Sequence, residues 1–222
     1  MNKIIDLSLG IHDGMITYPT NAHHVFESSI QARIQIEGRE TRKFTMGSHC
    51  GTHVDAPKHF IENGASIDHF DVNDLIGEAV LINLGKKNPN QIINLNSFKT
   101  EFLKYPNIKR VIFRTDWSDY WNTSQYYQGW PYFDEESIDF LINNKIKLLG
   151  IDFPSPDSAY FGADCSMDSP NHKKLFNNNV ILTEYLTNLK NLKNGLIYIM
   201  VSPLKLLNFD GAPSRVTAYN LI

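Results

Sequence analysis

The chain has 222 residues, 42% of them hydrophobic and 12% aromatic, and its 24 acidic and 21 basic side chains leave a net charge of −3. That length supports one large domain or two small ones with a sizeable core, and the chain is read here as a single domain over residues 1–222. The near-balanced charge offers no basic footprint for nucleic acid and no polybasic run for an anionic membrane, and no apolar run is long enough to span a bilayer.

The chain opens with Asn2-Lys3-Ile4-Ile5-Asp6-Leu7-Ser8-Leu9, which reads as a strand and lacks the apolar region and cleavage site of a secretory leader. A cytoplasmic protein is expected. Cys50 and Cys165 agree with that compartment, because two cysteines build no disulfide framework. Further strand-like pieces follow at Met15 to Tyr18, Val25 to Ile36 and Lys43 to Ser48, and every second residue from Ile30 to Ile36 is apolar. This first part reads as mostly β.

From Glu78 the pattern changes to alternating strands and helices. Glu78 to Leu84 reads as a buried strand, Asn96 to Tyr105 as a helix, and Arg110 to Arg114 as a second strand. Asp134 can cap a helix that carries Ile138, Leu141 and Ile142 on one face, and Ile146 to Asp152 returns as a strand. Ser169-Pro170 has the form of a helix start, a capping side chain followed by proline in the first turn. Asn177-Asn178-Asn179 reads as a turn, and Val180 to Leu182, Leu196 to Val201 and Arg215 to Tyr219 supply later strands. With no internal repeat and no linker, one α/β domain with an antiparallel N-terminal part is the economical reading.

The chemistry concentrates in Ser48-His49-Cys50-Gly51-Thr52-His53-Val54-Asp55-Ala56-Pro57-Lys58-His59, which holds three of the eight histidines. In an extended chain alternate side chains share a face, so His49, His53 and Asp55 are placed to converge. A helix would also bring His49 and His53 together, but Gly51, Thr52 and Val54 are poor helix formers and Pro57 would break one. Imidazole with carboxylate suits zinc, manganese or iron. Cys50 has the opposite parity and is assigned to packing. Beyond Pro57 the alternation lapses, so His59 is open to two readings, a further ligand or a proton carrier just outside the metal shell. His12, His23, His24 and His69 lie among loop-like polar residues and are read as solvated or hydrogen-bonded. His172, in the first turn after Ser169-Pro170, and Glu184, after the strand Val180 to Leu182, can meet if that helix turns back into the strand. From spacing alone Glu184 serves equally as an ordinary helix-start carboxylate.

His49-Cys50-Gly51-Thr52-His53-Val54-Asp55-Ala56-Pro57-Lys58-His59 resembles the His-x-Gly-Thr-His-x-Asp-x-Pro-x-His signature of the cyclase family, which includes bacterial kynurenine formamidases and isatin hydrolases. Supporting matches are Tyr18-Pro19, Arg114 to Trp117, Gly150 to Asp157, His172 with Glu184, and Asp210-Gly211-Ala212-Pro213-Ser214-Arg215. The resemblance implies a swivelling β/β/α-type α/β domain, with mixed sheets and flanking helices, that forms a homodimer or a higher homo-oligomer. It implies that His49, His53 and Asp55 bind one metal, that Asp55 bridges to a second completed by His172 and Glu184, and that His59 is the catalytic histidine. One or two Zn2+ or Mn2+ ions per subunit are expected. The departures concern the substrate pocket: many members read aromatic-Pro-Gly-Asp where this chain reads Tyr18-Pro19-Thr20-Asn21, the formamidases often carry tryptophan at the position of Tyr18, and Asp116 stands where glycine is frequent.

The expected function is hydrolysis of a small amide substrate, of the arylformamidase type (N-formylkynurenine to kynurenine and formate) or on a cyclic amide. A metal lowers the pKa of a bound water from about 15.7 toward 7, which supplies the nucleophile, and His59 protonates the leaving nitrogen. Tyr18, Phe44, Trp117 and Trp121 are candidates for an aromatic substrate wall, against core packing as the plain alternative. Ser155 and Asp157 fall in a proline-rich turn after a strand, where either active-site loops or simple turn geometry would place them. The alternatives are a metal-dependent cyclase or dehydratase, and a non-catalytic metal-dependent binding protein.

Overall fold

The computed structural model describes residues 3–20, 23–160 and 168–221; Asn2, Asn21 and Cys165, named above, lie outside them. Its strands are β1 (Ile5–Asp6), β2 (Glu27–Ala32), β3 (Thr41–Thr45), β4 (His53–Asp55), β5 (Ile76–Asn83), β6 (Ile92–Ile93), β7 (Arg110–Arg114), β8 (Tyr132–Phe133), β9 (Leu148–Ile151), β10 (Ile181–Glu184), β11 (Gly195–Pro203) and β12 (Gly211–Asn220). The α-helices are α1 (Ile34–Glu37), α2 (Val72–Leu75), α3 (Lys99–Phe102), α4 (Glu135–Asn143) and α5 (Pro170–Asn177).

An eight-stranded mixed sheet runs β1-β12-β11-β5-β7-β9-β10-β4, and a further pairing of β12 with β4 closes every strand but β1 into a barrel-like ring. β2 and β3 form a separate hairpin, and β6 pairs with β8. β5, β7, β9 and β10 lie parallel to one another, β5 against β7, β7 against β9 and β9 against β10, and the remaining pairings of the ring are antiparallel.

Closure explains why the central strands read as continuous apolar runs: both of their faces are covered. Ala79, Leu81, Ile112 and Leu148 turn into the ring, against Val54, Ile197, Ile199, Val216 and Ala218. Val80, Ile82, Val111, Phe113, Leu149 and Ile151 face outward beneath Phe98, Phe102, Ile138, Leu141, Leu175 and Phe176, which belong to the helical layer. The cap on α4 is as expected, with the Asp134 carboxylate accepting from Ser137 N at 2.9 Å. The helix expected over Asn96 to Tyr105 is a 3-10 turn, Leu95–Ser97, followed by the short α3.

Three expectations for the N-terminal part need correction. Met15 to Tyr18 forms no strand. The strand expected from Val25 to Ile36 stops at Ala32, and Ile34–Glu37 is a helical turn ended by Gly38 at φ 72°. Pairing with β3 ends at Ala32↔Thr41, and Ile34 and Ile36 are exposed, so the alternation there has neither a partner strand nor a core to select it. The strand expected from Lys43 to Ser48 is displaced to Thr41–Thr45 for the same reason, since the register with β2 sets its limits.

Gly150 is required by packing inside the ring, where a Cβ would stand 2.5 Å from Ile112 Cδ1 and 3.0 Å from Leu186 Cδ1. Gly150→Val should cost about 1–3 kcal/mol by overpacking, lowering the melting temperature by several degrees in thermal unfolding; an unchanged Tm would refute this account of the interior.

Candidate active site

β4 has only three residues, yet it pairs on one edge with β10 and on the other with β12. The register sets Glu184 opposite His53, and Gly211 opposite Asp55. His53, Asp55 and Glu184 are therefore brought together by backbone pairing at the seam of the ring, where all three are buried. His49 is not on the strand: it lies in the preceding turn, and Gly51 at φ 62° breaks the alternation that was expected to align it with His53 and Asp55. It reaches Asp55 nonetheless, with Nδ1 2.7 Å from Oδ1. Gly211 makes room for this approach, since a Cβ there would fall 2.8 Å from His49 Cε1 and 2.9 Å from Val54 O.

His172 arrives from α5, and its Nε2 lies 3.3 Å from Glu184 Oε1 and 3.5 Å from Asp55 Oδ2. His53 Nε2 lies 3.1 Å from Asp55 Oδ1 and 3.4 Å from Glu184 Oε2. Glu184 is the last residue of β10, not the start of a helix. The cap expected of Ser169 is absent. Its backbone is left-handed, at φ 47°, and the Asp157 carboxylate takes over, accepting from Asn171 N at 2.7 Å and His172 N at 3.1 Å. Asp157 also accepts from His172 Nδ1 at 2.6 Å, so one carboxylate caps the helix and orients its histidine.

These hydrogen bonds set which ring nitrogens remain open. His53 Nδ1 faces the carbonyl of Gly51 at 2.7 Å, an acceptor only, and must donate to it. His172 Nδ1 donates to Asp157 in the same way, and His49 Nε2 stands 2.8 Å from Asp210 Oδ2. The second nitrogen of each ring then presents a lone pair to Asp55 or Glu184, which are acceptors themselves. Glu184 Oε1 is buried without a hydrogen-bond partner. Lone pairs facing carboxylates in a buried site leave a place for a cation, and nitrogen with oxygen donors suits a divalent transition metal. Donor atoms lie within 4.8 Å of one another in two groups, His53 with Asp55 and Glu184, and His49 with Asp55 and His59; Asp55 is common to both as expected, but the grouping differs from the expected one in setting His53 with Glu184 and His59 with His49.

Protons take that role in the metal-free protein. Burial alone would lower the His53 pKa, but hydrogen bonds and charge from Asp55 and Glu184 outweigh it and raise the value to about 10. Burial opposes protonation of His172 too, and Asp157, Asp55 and Glu184 nevertheless hold it well above the ordinary histidine range. Burial would raise Asp55, but His49, His172 and His53 keep its carboxyl well below the usual range.

His59 follows β4 in a 3-10 turn, Pro57–His59, and is half-buried. Its ring stacks on His49 at 3.9 Å between centroids, and its Nδ1 is 3.3 Å from Asp210 Oδ2. Among the substrate-wall candidates, Tyr18 is half-buried and belongs to an aromatic group with Tyr127 at 5.7 Å and Trp130 at 5.8 Å. Trp121 lies 6.1 Å from Tyr185, which in turn lies 5.0 Å from His53. Trp117 is fully buried in the core and donates to Tyr126 O. Phe44 is exposed on the hairpin, stacked on Phe26. Ser155 accepts from Asp157 N at 3.0 Å and so steadies the cap of α5.

His23, expected to be solvated or hydrogen-bonded, has its ring 5.3 Å from Tyr18 and 5.8 Å from His49. Burial and the neighbouring His49, His59 and His53 lower its pKa to about 4. Asp210 lies far along the chain and had no role assigned to it. The only signal for it was the stretch Asp210 to Arg215, which stood among the matches to the family. Cys50 packs against Met15, Sγ to Sδ 3.9 Å, and burial raises its thiol to about 11.

A closed mixed sheet with histidines and carboxylates gathered at its seam defines a candidate metal-binding site. The Cyclase family model, described as "Putative cyclase", matches residues 5–158, and the chain belongs to that family. It is 26% identical over 211 residues to a kynurenine formamidase of Bacillus cytotoxicus, covering 95% of this chain and 94% of that protein. Isatin hydrolase A from Labrenzia aggregata, solved with benzyl benzoate, superimposes with a TM-score of 0.87 at 25% identity, covering 99% of this chain and 94% of its own. A structure described as a potential metal-dependent hydrolase with cyclase activity superimposes with a TM-score of 0.77 at 26% identity over the whole of both chains.

Two outcomes test the site. Asp157→Ala should lower stability by about 0.5–2 kcal/mol through loss of the cap and weaken metal binding about 10–100-fold through the freed His172, read by thermal unfolding and metal titration; unchanged metal affinity would remove Asp157 as an orienting group. Because His53 and His172 are held protonated without metal, loading zinc near pH 7.5 should release protons, and affinity should climb with pH from the ordinary histidine value of 6.5 toward about 10. Calorimetry in buffers of different ionisation enthalpy measures the release, and identical heats in all of them would refute it.

Proposed function

We propose that this protein is a metal-dependent hydrolase of a small aryl amide, of the arylformamidase type, converting N-formylkynurenine and water to kynurenine and formate, with a cyclic amide as the other substrate of the same chemistry. The observation that carries this reading is the convergence of three imidazole nitrogens on two buried carboxylates, with a fourth histidine, His59, stacked on the first. Similarity to an amide-hydrolysing relative along almost the full chain supports it.

His49, His53, Asp55, His172 and Glu184 would hold one or two Zn2+ or Mn2+ ions. When bound, the metal supplies Lewis acidity, which polarises a carbonyl and acidifies water. An amide also needs its leaving nitrogen protonated as the C–N bond breaks, and His59 is the half-buried acid–base side chain beside the cluster placed to supply that proton. Tyr18, with Tyr127 and Trp130 behind it, offers an aromatic surface for an aryl substrate.

The reading takes residues 1–222 as one domain, supported by β1 and β12, from opposite ends of the chain, lying side by side in one sheet. It takes the protein as a cytoplasmic homodimer. The free, buried Cys50 and the exposed apolar residues Phe44, Ile34 and Ile36 support that reading, and among the described residues no helix is long and apolar enough to cross a membrane.

The test is release of kynurenine from N-formylkynurenine by zinc- or manganese-loaded protein, with a chelated sample beside it. Turnover should require metal. Asp55→Ala should lose metal and activity together, whereas His59→Ala should keep its metal and slow turnover by about a hundredfold or more. No metal-dependent turnover of N-formylkynurenine or of isatin-like cyclic amides would overturn the reading.

A further inference from the structure

Asp210 is the residue whose position the proposed chemistry leaves unexplained. It comes from the turn before β12, and its carbonyl accepts from Ala56 N at 2.9 Å, which ties it to the end of β4. A single carboxylate oxygen, Oδ2, stands 2.8 Å from His49 Nε2 and 3.3 Å from His59 Nδ1. A carboxylate only accepts, so His49 Nε2 donates to it, and the nitrogen of the stacked His59 ring that faces the same acceptor is Nδ1. For His59 this selects the tautomer with the proton on Nδ1, leaving Nε2 as the nitrogen able to exchange one. A ring nitrogen of His59 also lies within 4.8 Å of donor atoms on His49 and Asp55.

We infer that Asp210 is a positioning residue that orients His59 through Nδ1 and so favours its Nδ1–H tautomer, while holding the metal-binding histidine His49 through the same oxygen. The inference rests on the amide-hydrolase reading for its kinetic consequence but not for its structural one. In the step concerned, the C–N bond breaks with its electron pair going to nitrogen, and that nitrogen takes the proton from His59 Nε2. Nδ1 keeps its own proton, and Asp210 stays ionised throughout. The arrangement also accounts for Gly211, because Asp210 can reach His49 only where the next residue leaves space for the ring.

The experiment pairs Asp210→Asn, which removes the charge but keeps an acceptor, with Asp210→Ala, which removes both. In the zinc-loaded enzyme, Asp210→Asn should retain stoichiometric metal, lower kcat about a hundredfold with little change in KM, and lose more rate on amides with poorer leaving amines. Combined with His59→Ala, it should slow the enzyme by no more than a few-fold beyond His59→Ala alone, because the two residues act as one unit. Independent of turnover, imidazole 15N shifts assigned through His59→Ala should show Nδ1–H in the wild type and a gain of the Nε2–H form in Asp210→Ala. Multiplicative losses in the double variant, or an unchanged His59 tautomer in Asp210→Ala, would overturn the assignment. Should the wild type hydrolyse no amide, the amide-hydrolase reading fails, and the 15N measurement still decides the role of Asp210.

Discussion

The structure depends on the pairing of one short strand on both of its edges. β4 contributes three residues, and by joining β10 and β12 it turns an open twisted sheet into a ring. Without that closure β10 would keep a free edge, and the interior formed by Leu81, Ile112, Ile197 and Val216 would open to water. The same backbone hydrogen bonds bring Glu184 and Gly211 against β4 from opposite sides, so the closure that completes the core also assembles the charged site.

Placing that much charge at a buried seam has a cost. Desolvation works against every ionised group in the cluster, and pairing compensates only when the geometry leaves no donor or acceptor unanswered. Hydrogen bonds to Asp157, Asp210 and the Gly51 carbonyl answer the outer nitrogens of the three histidines. The inner nitrogens and carboxylates answer one another only through a proton or a metal cation between them, and one Glu184 oxygen is left without a hydrogen-bond partner. The site therefore holds protons tightly without metal and exchanges them for it, which links metal occupancy, pH and local stability through the same atoms.

Sequence periodicity was informative where a core existed to enforce it. Arg110–Arg114 is a strand at the limits expected, and α4 begins after the aspartate expected to cap it. It misled where no surface was waiting to be buried. The apolar residues from Ile30 to Ile36 alternate like a strand, yet β3 supports them only as far as Ala32. Ser169-Pro170 carries the local form of a helix start, but Asp157, close in space and distant in sequence, supplies the cap. Phe44 and Trp117 were candidates by residue type alone. One lies on an exposed hairpin and the other in the core, and composition cannot distinguish those fates from a pocket wall.

The sequence by itself determined the chemistry available: histidines and a carboxylate crowded around Gly51 and Pro57, with His172 and Glu184 as distant partners, name a metal-binding donor set because imidazole and carboxylate are the ligands such ions prefer. It also determined the central strands, whose apolar runs are long enough to require burial on both faces. Tertiary structure alone decided how the donors meet. His49 joins His53 and Asp55 through a left-handed turn at Gly51 instead of along a strand, and Asp157, Asp210 and His23 take their places through contacts with no local spacing to announce them. Those contacts arise from strand register and closure, which depend on the packing of the whole chain and not on any one segment of it.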